Sequence, residues 1–204
     1  MPALTLQPLQ PRDERRAIDF AVTGMHFDWY MDNRWLQRLY GRYFWYKEKA
    51  RATQVLAAYA DGALAGVLLA RFDGEPPASR SCGAWLYVRL WECLQAVFAK
   101  GSAGVYETAN EQMFAQYRAR CAPDGEILFL AADLARRVPG VGRLLLDALA
   151  RRESGKTVYL FTDSACTYSF YDRHGFTRAC QQEAALTQGH KRVRLQCFLY
   201  SKTL

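Results

Sequence analysis

The sequence Arg137-Val138-Pro139-Gly140-Val141-Gly142 follows a continuous apolar run at 126–132 and opens a segment with helical spacing at 141–152. The apolar run is typical of a strand that is buried on both faces. Glycine lets the backbone approach a ligand closely and adopt positive φ. The first N–H groups of a helix have no intrahelical partner, and the helix dipole favours negative charge there. Strand, glycine loop and helix N-terminus together predict a phosphate site.

Three kinds of phosphate-binding loop connect a strand to a helix in this way. A P-loop needs G-x-x-x-x-G-K-[ST], which Arg143-Leu144 excludes. A dinucleotide loop needs G-x-G-x-x-G, and Leu145 stands where the third glycine belongs. Asp163, 21 residues after Gly142, nevertheless lies where a ribose-binding acid would lie, so a nucleotide-binding oxidoreductase stays an alternative. The third kind, R/Q-x-x-G-x-G/A, matches residue for residue.

A second segment, 164–176, reads SACTYSFYDRHGF. It is similar to N-x-x-A-x-x-x-Y-x-x-x-G-F, with Tyr171, Gly175 and Phe176 in register and with Ser164 and Thr167 in place of Asn and Ala. With both motifs in this order, the chain resembles the GNAT superfamily, the Gcn5-related N-acetyltransferases. The resemblance covers 126–200 and extends, by the order of predicted elements, to the first strand, the first helices and the hairpin.

The resemblance implies that acetyl-CoA is the acetyl donor and that the acceptor carries an amine. It places the pyrophosphate on backbone N–H groups of the glycine loop. The pantetheine arm would lie along the fourth strand, where the N–H of Leu130 is the expected oxyanion donor. The residues assigned to the cofactor in this way are Leu130, Ala132, Arg137, Val138, Gly140, Val141, Gly142, Arg143, Ser164 and Thr167.

The resemblance also implies two catalytic side chains. Tyr171 stands at the position of the general acid that protonates the departing thiolate, and we expect a nearby charge to lower its pKa. Glu126, eleven residues before Arg137, stands where some members place a general base. A base helps because a lysine-like amine is only ~10⁻³ neutral at pH 7. The structural alternatives are a core aromatic for Tyr171 and a solvated acid for Glu126. His26, His174 and Asp133 are weaker candidate bases.

The pattern of the whole chain predicts the α/β class. Strands are expected at 4–9, 53–60, 64–72, 126–132, 156–162, 176–186 and 192–200, and helices at 11–25, 33–49, 85–99, 107–120, 141–152 and 166–173. Asp61-Gly62 is a strong hairpin signal. The resemblance implies a mixed, mostly antiparallel GNAT-type sheet flanked by helices. A single domain would then span 1–204, with a helical insertion at about 75–124 between the third and fourth strands.

Helical spacing predicts which side chains face the core. Trp35, Leu39, Tyr43 and Tyr46 form one stripe, and Leu86, Leu90, Leu94 and Val97–Phe98 form another. Met113, Phe114 and Tyr117 are expected to face inward as well. The aromatic residues between 27 and 46, with Asp28 and Asp32 among them, suit an amine or cation acceptor, and helix packing is the alternative explanation.

Composition narrows the class of protein. The chain has 204 residues, 50% hydrophobic and 23% charged, which excludes a disordered or low-complexity chain. No apolar run approaches the ~18 residues of a membrane helix, and no signal peptide is visible. We therefore expect a cytoplasmic protein without a membrane partner. The six cysteines have no metal-ligand spacing, and the net charge of +7 is too dispersed to predict nucleic acid binding. The edge strands of the fold permit a homodimer, and an acyl-CoA-binding module without catalysis stays an alternative.

Overall fold

The computed structural model describes residues 3–27, 33–79, 81–98, 103–188 and 191–204. All the predicted strands and helices are present, with bounds shifted by a few residues. In chain order they are β1 (Leu4–Gln7), a 3₁₀ turn (Pro11–Asp13), α1 (Glu14–Gly24), α2 (Arg34–Arg51), β2 (Gln54–Ala60), β3 (Ala63–Phe72), α3 (Cys82–Phe98), α4 (Ala103–Arg118), β4 (Gly125–Ala132), α5 (Val141–Arg152), β5 (Thr157–Asp163), α6 (Ser169–Arg173), β6 (Thr177–Gln188) and β7 (Lys191–Thr203).

The strands form a seven-stranded sheet in the order β1-β2-β3-β4-β5-β7-β6. Pairing is antiparallel between β1 and β2, β2 and β3, β5 and β7, and β6 and β7. β4 and β5 pair in parallel, with Gly125 opposite Val158 and Glu126 opposite Tyr159. Parallel neighbours need a crossover, which α5 provides. This mixed, mostly antiparallel sheet, flanked by helices and with α3 and α4 between β3 and β4, confirms the predicted fold class.

The hairpin of β2 and β3 closes at the predicted turn. Asp61 and Gly62 have φ values of 49° and 75°. A type I′ turn requires positive φ at both central residues, and its twist matches the twist of the strands that it joins. The dipeptide therefore sets the pairing beside the turn, with Ala60 opposite Ala63, and a bulge between Ala58 and Tyr59 shifts the register of the rest of the hairpin.

One compact unit comprises Met1–Trp91 and Ile127–Ser154. Its core includes the fully buried Trp45 and Leu64 together with Tyr59 and Phe129. The Tyr59 hydroxyl accepts a hydrogen bond from the Gln10 N–H at 3.1 Å and donates one to Asp13 at 2.9 Å. A strand in the core thus holds the turn from which α1 begins.

The predicted stripe on α2 is only partly correct. Tyr43 is buried as expected, but Trp35 is 66% exposed and Trp45 takes the core position instead. The reason is that α1 packs on the later turns of α2, where Trp45 donates its indole N–H to Glu14 Oε1 at 3.1 Å. Trp35 lies one residue into the helix, beside the Asn33 cap, where nothing from α1 reaches it in the contacts described.

The predicted inward leucines of α3 are wrong where the structure describes them. Leu86 and Leu90 are 62% and 60% exposed, while the side chains of Leu94, Val97 and Phe98 lie outside the described residues. Tyr87 and Trp91 pack against α2 instead. The Tyr87 hydroxyl donates to the Leu39 carbonyl at 3.0 Å, and the Trp91 ring stacks on Tyr43 at 5.9 Å. In the part of α3 whose side chains the structure describes, aromatic residues rather than Leu86 and Leu90 therefore pack α3 against α2.

The other compact unit comprises Glu92–Glu126 and Gly155–Leu204. As predicted, Met113 and Tyr117 are buried, and the Phe114 ring stacks on Tyr159 with centroids 4.7 Å apart. The Tyr117 hydroxyl lies 2.5 Å from Ser201 Oγ on β7. These contacts join α4 to the strands of its own unit.

Four further expectations concern membrane helices, metal sites, the acidic residues of the acceptor region and the number of domains. Among the described residues, none of the helices combines the length and apolar character that crossing a bilayer requires. The same part of the chain contains no group of three or more His, Cys, Asp or Glu that could hold a metal ion. Asp28 and Asp32 lie outside the described residues. The single-domain organisation stays a prediction.

Gly66 on β3 marks a close approach between the sheet and α5. A Cβ at this position would overlap Val141 Cγ1 and come within 2.9 Å of the Ala131 carbonyl oxygen. Leu145 Cδ1 would be 3.4 Å away. Because α5 lies against β3 with no room for a methyl group, Gly66 fixes where the N-terminus of α5 lies relative to β3.

We expect Gly66→Ala to lower the free energy of unfolding by roughly 1–3 kcal/mol, because overpacking forces backbone or side-chain shifts. Denaturant titration of both proteins measures the change. Gly83→Ala is the control, since a Cβ there meets no atom within 4 Å. A Gly66→Ala protein as stable as the wild type would contradict the close approach.

Candidate functional site

The segment 133–143, called here the glycine loop, joins β4 to α5. Arg137 and Gly140 adopt positive φ, at 46° and 82°. Gly140 is the N-cap of α5 and has no side chain to cap it. The Leu144 N–H makes the first intrahelical bond, to the Gly140 carbonyl at 2.9 Å. The N–H groups of Val141 and Gly142 precede it in the first turn, where a helix supplies no acceptor.

Asp133 organises the start of the glycine loop. Its Oδ1 accepts the N–H groups of Ala135 at 2.9 Å and Arg136 at 3.2 Å, and its Oδ2 binds the Arg16 guanidinium at 2.5 Å. The Asp133 backbone N–H donates to the Ala65 carbonyl on β3 at 2.8 Å. One buried residue thus ties the loop to α1 and to the sheet. An aspartate directly after a predicted strand is the sequence signal for such an Asx turn, a role different from the candidate base expected at Asp133.

The hydrogen-bond partners of Asp133 stabilise the ionised form of its carboxyl group. Burial acts to raise the pKa of this carboxyl, but the hydrogen bonds from Arg16 and from the loop N–H groups outweigh burial and keep the pKa below its ordinary value. An ionised carboxylate that is already engaged is a poor proton acceptor. Asp133 is therefore a structural residue of the loop rather than a general base.

The remaining loop and strand positions differ in exposure. Leu130 and Ala132 on β4 are half-buried, whereas Arg137 and Arg143 are exposed. The Arg143 guanidinium lies 3.6 Å from the exposed Asp147 carboxylate. An exposed pair of this kind contributes little to stability, so the charge of Arg143 remains accessible to an anion near the helix N-terminus.

The second motif forms a helix-ending turn. The Phe176 N–H donates to the Tyr171 carbonyl at 3.1 Å and the Gly175 N–H to the Asp172 carbonyl at 3.3 Å. Gly175 has φ 76°, and the Tyr171 and Phe176 rings make an edge contact at 5.6 Å. These are the bonds and the apolar contact of a Schellman motif. The spacing Y-x-x-x-G-F is therefore explained by the helix-ending turn alone, and its functional interpretation is a separate prediction.

The Tyr171 side chain is half-buried among aromatic rings. Phe170 and Tyr200 lie 5.4 Å and 5.9 Å from it, centroid to centroid. Burial raises the pKa of the Tyr171 hydroxyl above its usual value, and the nearby Cys166 adds to the rise. The direction is opposite to the lowering expected from the sequence, because no cation among the described residues lowers this pKa. Its role as a general acid stays a prediction.

Ser164 and Thr167 have different surroundings. The Ser164 hydroxyl accepts the Gln196 N–H at 3.1 Å, and the Ser164 N–H donates to the Gln196 carbonyl at 2.9 Å. Ser164 thus extends the pairing of β5 with β7, and after accepting this bond its hydroxyl still has an O–H donor and a second lone pair to offer to a ligand. Thr167 is exposed. Their assignment to the cofactor stays a prediction.

Glu126 lies on the second residue of β4, opposite Tyr159 in the parallel ladder. It is only 7% exposed, so the alternative of a solvated acid is wrong. Buried carboxylates need partners, and Glu126 has interactions within the protein. A role as general base stays a prediction for this position.

Asp163 is engaged within the protein. It is 6% exposed, and its carboxylate accepts hydrogen bonds from the Tyr106 hydroxyl at 3.2 Å and from the N–H groups of Ala165 and Cys166 at 2.8 and 3.3 Å. A ribose-binding acid must point its carboxylate at the ligand. The mixed sheet is also unlike the doubly wound parallel sheet of dinucleotide-binding domains. Both observations count against the oxidoreductase alternative.

The similarity of this chain to known proteins was found at the level of structure, not of sequence. No protein-family model matches the sequence, and neither does any curated protein. Solved structures match along almost the entire chain. They include a Corynebacterium glutamicum protein described as a histone acetyltransferase and related acetyltransferase, at 18% identity and a TM-score of 0.60, with 100% of this chain and 97% of that chain covered.

Two further structures carry the same fold. The PaiA N-acetyltransferase of Thermoplasma acidophilum, solved in complex with coenzyme A, is 15% identical with a TM-score of 0.54 over 99% of both chains. An acetyltransferase of the GNAT family from Streptococcus pneumoniae is 17% identical with a TM-score of 0.51, covering 99% of this chain and 100% of its own. The chain therefore has the GNAT fold.

Replacing Asp133 should loosen the glycine loop. We expect Asp133→Ala to speed trypsin cleavage after Arg136 and Arg137 several-fold, because local opening exposes the backbone to the protease. Asp147→Ala, which removes a carboxylate from exposed α5 surface, should leave the rate unchanged. Cleavage is followed by mass spectrometry of the native protein, and equal rates for Asp133→Ala and wild type would show that Asp133 does not hold the loop.

Proposed function

We propose that this chain, which has the fold of the GNAT acetyltransferases, is an N-acetyltransferase that transfers the acetyl group of acetyl-CoA to a primary amine. The observation that carries the proposal is the glycine loop. This loop follows β4 and places a left-handed Gly140 at the N-terminus of α5. One structure of the same fold contains coenzyme A.

The glycine loop binds the pyrophosphate of the cofactor. The N–H groups of Val141, Gly142 and Arg143 lie in the first turn of α5, and the N–H groups of Val138 and Gly140 precede them. Unpaired N–H groups and the positive end of the helix dipole both favour an anion. Pro139 offers no N–H and restricts the loop. Arg137 and Arg143, both exposed, add positive charge.

The residues of β4 hold the thioester during the reaction. The amine nitrogen attacks the thioester carbonyl, so that a C–N bond forms and the C–S bond breaks. The Leu130 N–H stabilises the charge that develops on the carbonyl oxygen, a contribution worth about 10²–10³ in rate for one donor. Ala132, with Ser164 and Thr167, binds the pantetheine arm. Glu126 accepts the proton that the amine loses.

Tyr171 supplies a proton to the departing sulfur. Burial keeps its hydroxyl protonated at neutral pH, because the pKa lies above the usual value. Donation to a thiolate whose conjugate acid has a pKa of about 8.5 is then unfavourable in equilibrium terms. Proton transfer has to accompany C–S cleavage rather than precede it, since negative charge develops on the sulfur only as that bond breaks.

A non-catalytic acyl-CoA-binding module is the second candidate. The raised pKa of Tyr171 favours it, because this environment does not prepare the hydroxyl for release of a proton. Acetyl-CoA-dependent release of free thiol with a panel of amines distinguishes the two candidates. Binding of acetyl-CoA without thiol release would replace the enzyme proposal with the binding module.

Gly142→Glu should abolish the stabilisation of the protein by acetyl-CoA. For the wild type, a ligand at 100 times its Kd adds about 2.7 kcal/mol, which corresponds to a rise in Tm of roughly 5–10 °C. In the variant, a side chain and a negative charge enter the pyrophosphate site. Gly83→Glu places the same residue at the second position of α3 and is the matched control.

The thermal shift also tests the ligand class, with NAD and ATP as comparison ligands. A rise with acetyl-CoA in wild type and in Gly83→Glu, but not in Gly142→Glu, supports the loop assignment. A normal shift in Gly142→Glu would remove the pyrophosphate from the loop. A rise with NAD and none with acetyl-CoA would overturn the proposal.

Tyr171→Phe should lower kcat at least tenfold while the Kd for acetyl-CoA stays within about twofold, since proton transfer typically contributes 10²–10⁴-fold. Because the pKa of the wild-type hydroxyl lies above its usual value of about 10, its ionisation should cause no fall in kcat between pH 7 and about pH 9. Tyr168→Phe, on the preceding turn, is the control. An unchanged kcat in Tyr171→Phe would remove the general-acid role.

A further inference from the structure

A tyrosine of the helical insertion contacts the residue that directly precedes the second motif. Tyr106 lies on α4, and its hydroxyl donates to Asp163 Oδ2 at 3.2 Å. Asp163 ends β5 and is 6% exposed. The bond joins two points that are 57 residues apart in the chain. It is a contact of the helical insertion with a charged group that directly precedes the residues of the second motif.

The other oxygen of Asp163 holds the turn that follows. Oδ1 accepts the N–H of Ala165 at 2.8 Å and that of Cys166 at 3.3 Å, and the Asp163 carbonyl accepts the Cys166 N–H at 3.1 Å. Residues 163–166, called here the Asp163 turn, lead into α6 and Tyr171. One carboxylate therefore connects α4 to the backbone from which the Tyr171 helix starts.

Burial makes this connection persistent. Burial and the Asp163 charge hold the pKa of Tyr106 well above its usual value, so its hydroxyl keeps the proton that it donates. The same two causes raise the pKa of the Cys166 thiol to about 12. A thiol of that pKa is almost entirely protonated at neutral pH, and it reacts slowly because the thiolate is the nucleophile. Cys166 thus reports whether the Asp163 turn is intact.

We propose that Tyr106 is a positioning residue of the transferase: through Asp163 it fixes the Asp163 turn and thereby the start of the helix that carries Tyr171. The inference rests on the proposed function. It gives the 75–124 insertion a part in the reaction, since α4 supplies the hydroxyl. Tyr106 touches neither substrate nor cofactor in this role and acts only through Asp163.

The same helix provides a matched control. Tyr117 is also on α4 and also donates a hydrogen bond from its hydroxyl, in its case to Cys121 Sγ at 3.2 Å, with Ser201 Oγ 2.5 Å away. These partners lie away from the Asp163 turn in the chain. Tyr106→Phe and Tyr117→Phe each remove one buried hydroxyl from α4. Only the first removes a bond to Asp163.

We expect Tyr106→Phe to lower kcat about tenfold with little change in the KM for acetyl-CoA, and Tyr117→Phe to leave kcat within about twofold; a tenfold change corresponds to about 1.4 kcal/mol. In ligand-free protein, Tyr106→Phe should speed alkylation of Cys166 by iodoacetamide several-fold, and Tyr117→Phe should not. Peptide mass spectrometry follows Cys166 apart from the other cysteines. The Tm of each variant separates these effects from loss of the fold.

A double-mutant cycle tests the route through Asp163. Asp163→Ala should lower kcat at least as much as Tyr106→Phe, and adding Tyr106→Phe to it should cost less than twofold more. Asp163→Asn keeps an oxygen for the two N–H groups. Its side-chain NH₂ can only donate to the Tyr106 hydroxyl oxygen, which reverses the bond but keeps the link to α4, so this variant should retain more activity than Asp163→Ala. Full additivity of Tyr106→Phe and Asp163→Ala would overturn the coupling.

The outcomes distinguish this inference from the proposed function. A wild type that releases no thiol with any amine overturns the transferase, while Cys166 alkylation still decides whether Tyr106 holds the turn. An active wild type whose kcat and Cys166 reactivity are both unchanged by Tyr106→Phe overturns the positioning role. Equal effects of Tyr106→Phe and Tyr117→Phe would do the same, since they would reflect lost packing of α4.

Discussion

The glycine loop of the candidate site depends on the ion pair and hydrogen bonds of the buried Asp133 carboxylate. A carboxylate out of water must be paired and hydrogen-bonded, and here Arg16 and two loop N–H groups provide those partners. The residue cannot move without losing them, so α1, the sheet and the glycine loop are fixed together. Gly66 adds a steric condition, because a residue without Cβ is needed for Val141 at the start of α5 to pack this closely on β3. The position of the N-terminus of α5 therefore depends both on the bonds of the Asp133 carboxylate and on the missing side chain at Gly66.

The same arrangement occurs at the end of the next strand. Asp163, like Asp133, ends its strand region with Oδ1 on the N–H groups two and three residues ahead and with Oδ2 on a side chain from a helix. The partners differ in charge. Arg16 neutralises Asp133, whereas the Tyr106 hydroxyl leaves the charge of Asp163 in place, and that charge raises the pKa of Cys166. Each motif of the sequence thus follows an aspartate that orders its backbone.

The sequence was informative where structure is local. Asp61-Gly62, Gly140 and Gly175 each occupy positive φ, and each was recognisable from the residues beside it. The Asx turns of Asp133 and Asp163 are local, but their contacts with Arg16 and Tyr106 span 117 and 57 residues, and no local pattern reports those partners. The same holds for α3, where Tyr87 and Trp91 rather than the leucines pack inward, and for Tyr171, whose pKa depends on the rings that bury it.

Arg137 has φ 46°, a conformation that costs an L-residue roughly 1–2 kcal/mol and glycine almost nothing. A glycine at this position would relax the backbone and discard the guanidinium. Selection for thermal tolerance alone would therefore favour losing this arginine, whereas selection for anion affinity would keep it. Under the proposed function, stability and pyrophosphate binding therefore make opposite demands on position 137, and variants chosen for one property should be screened for the other.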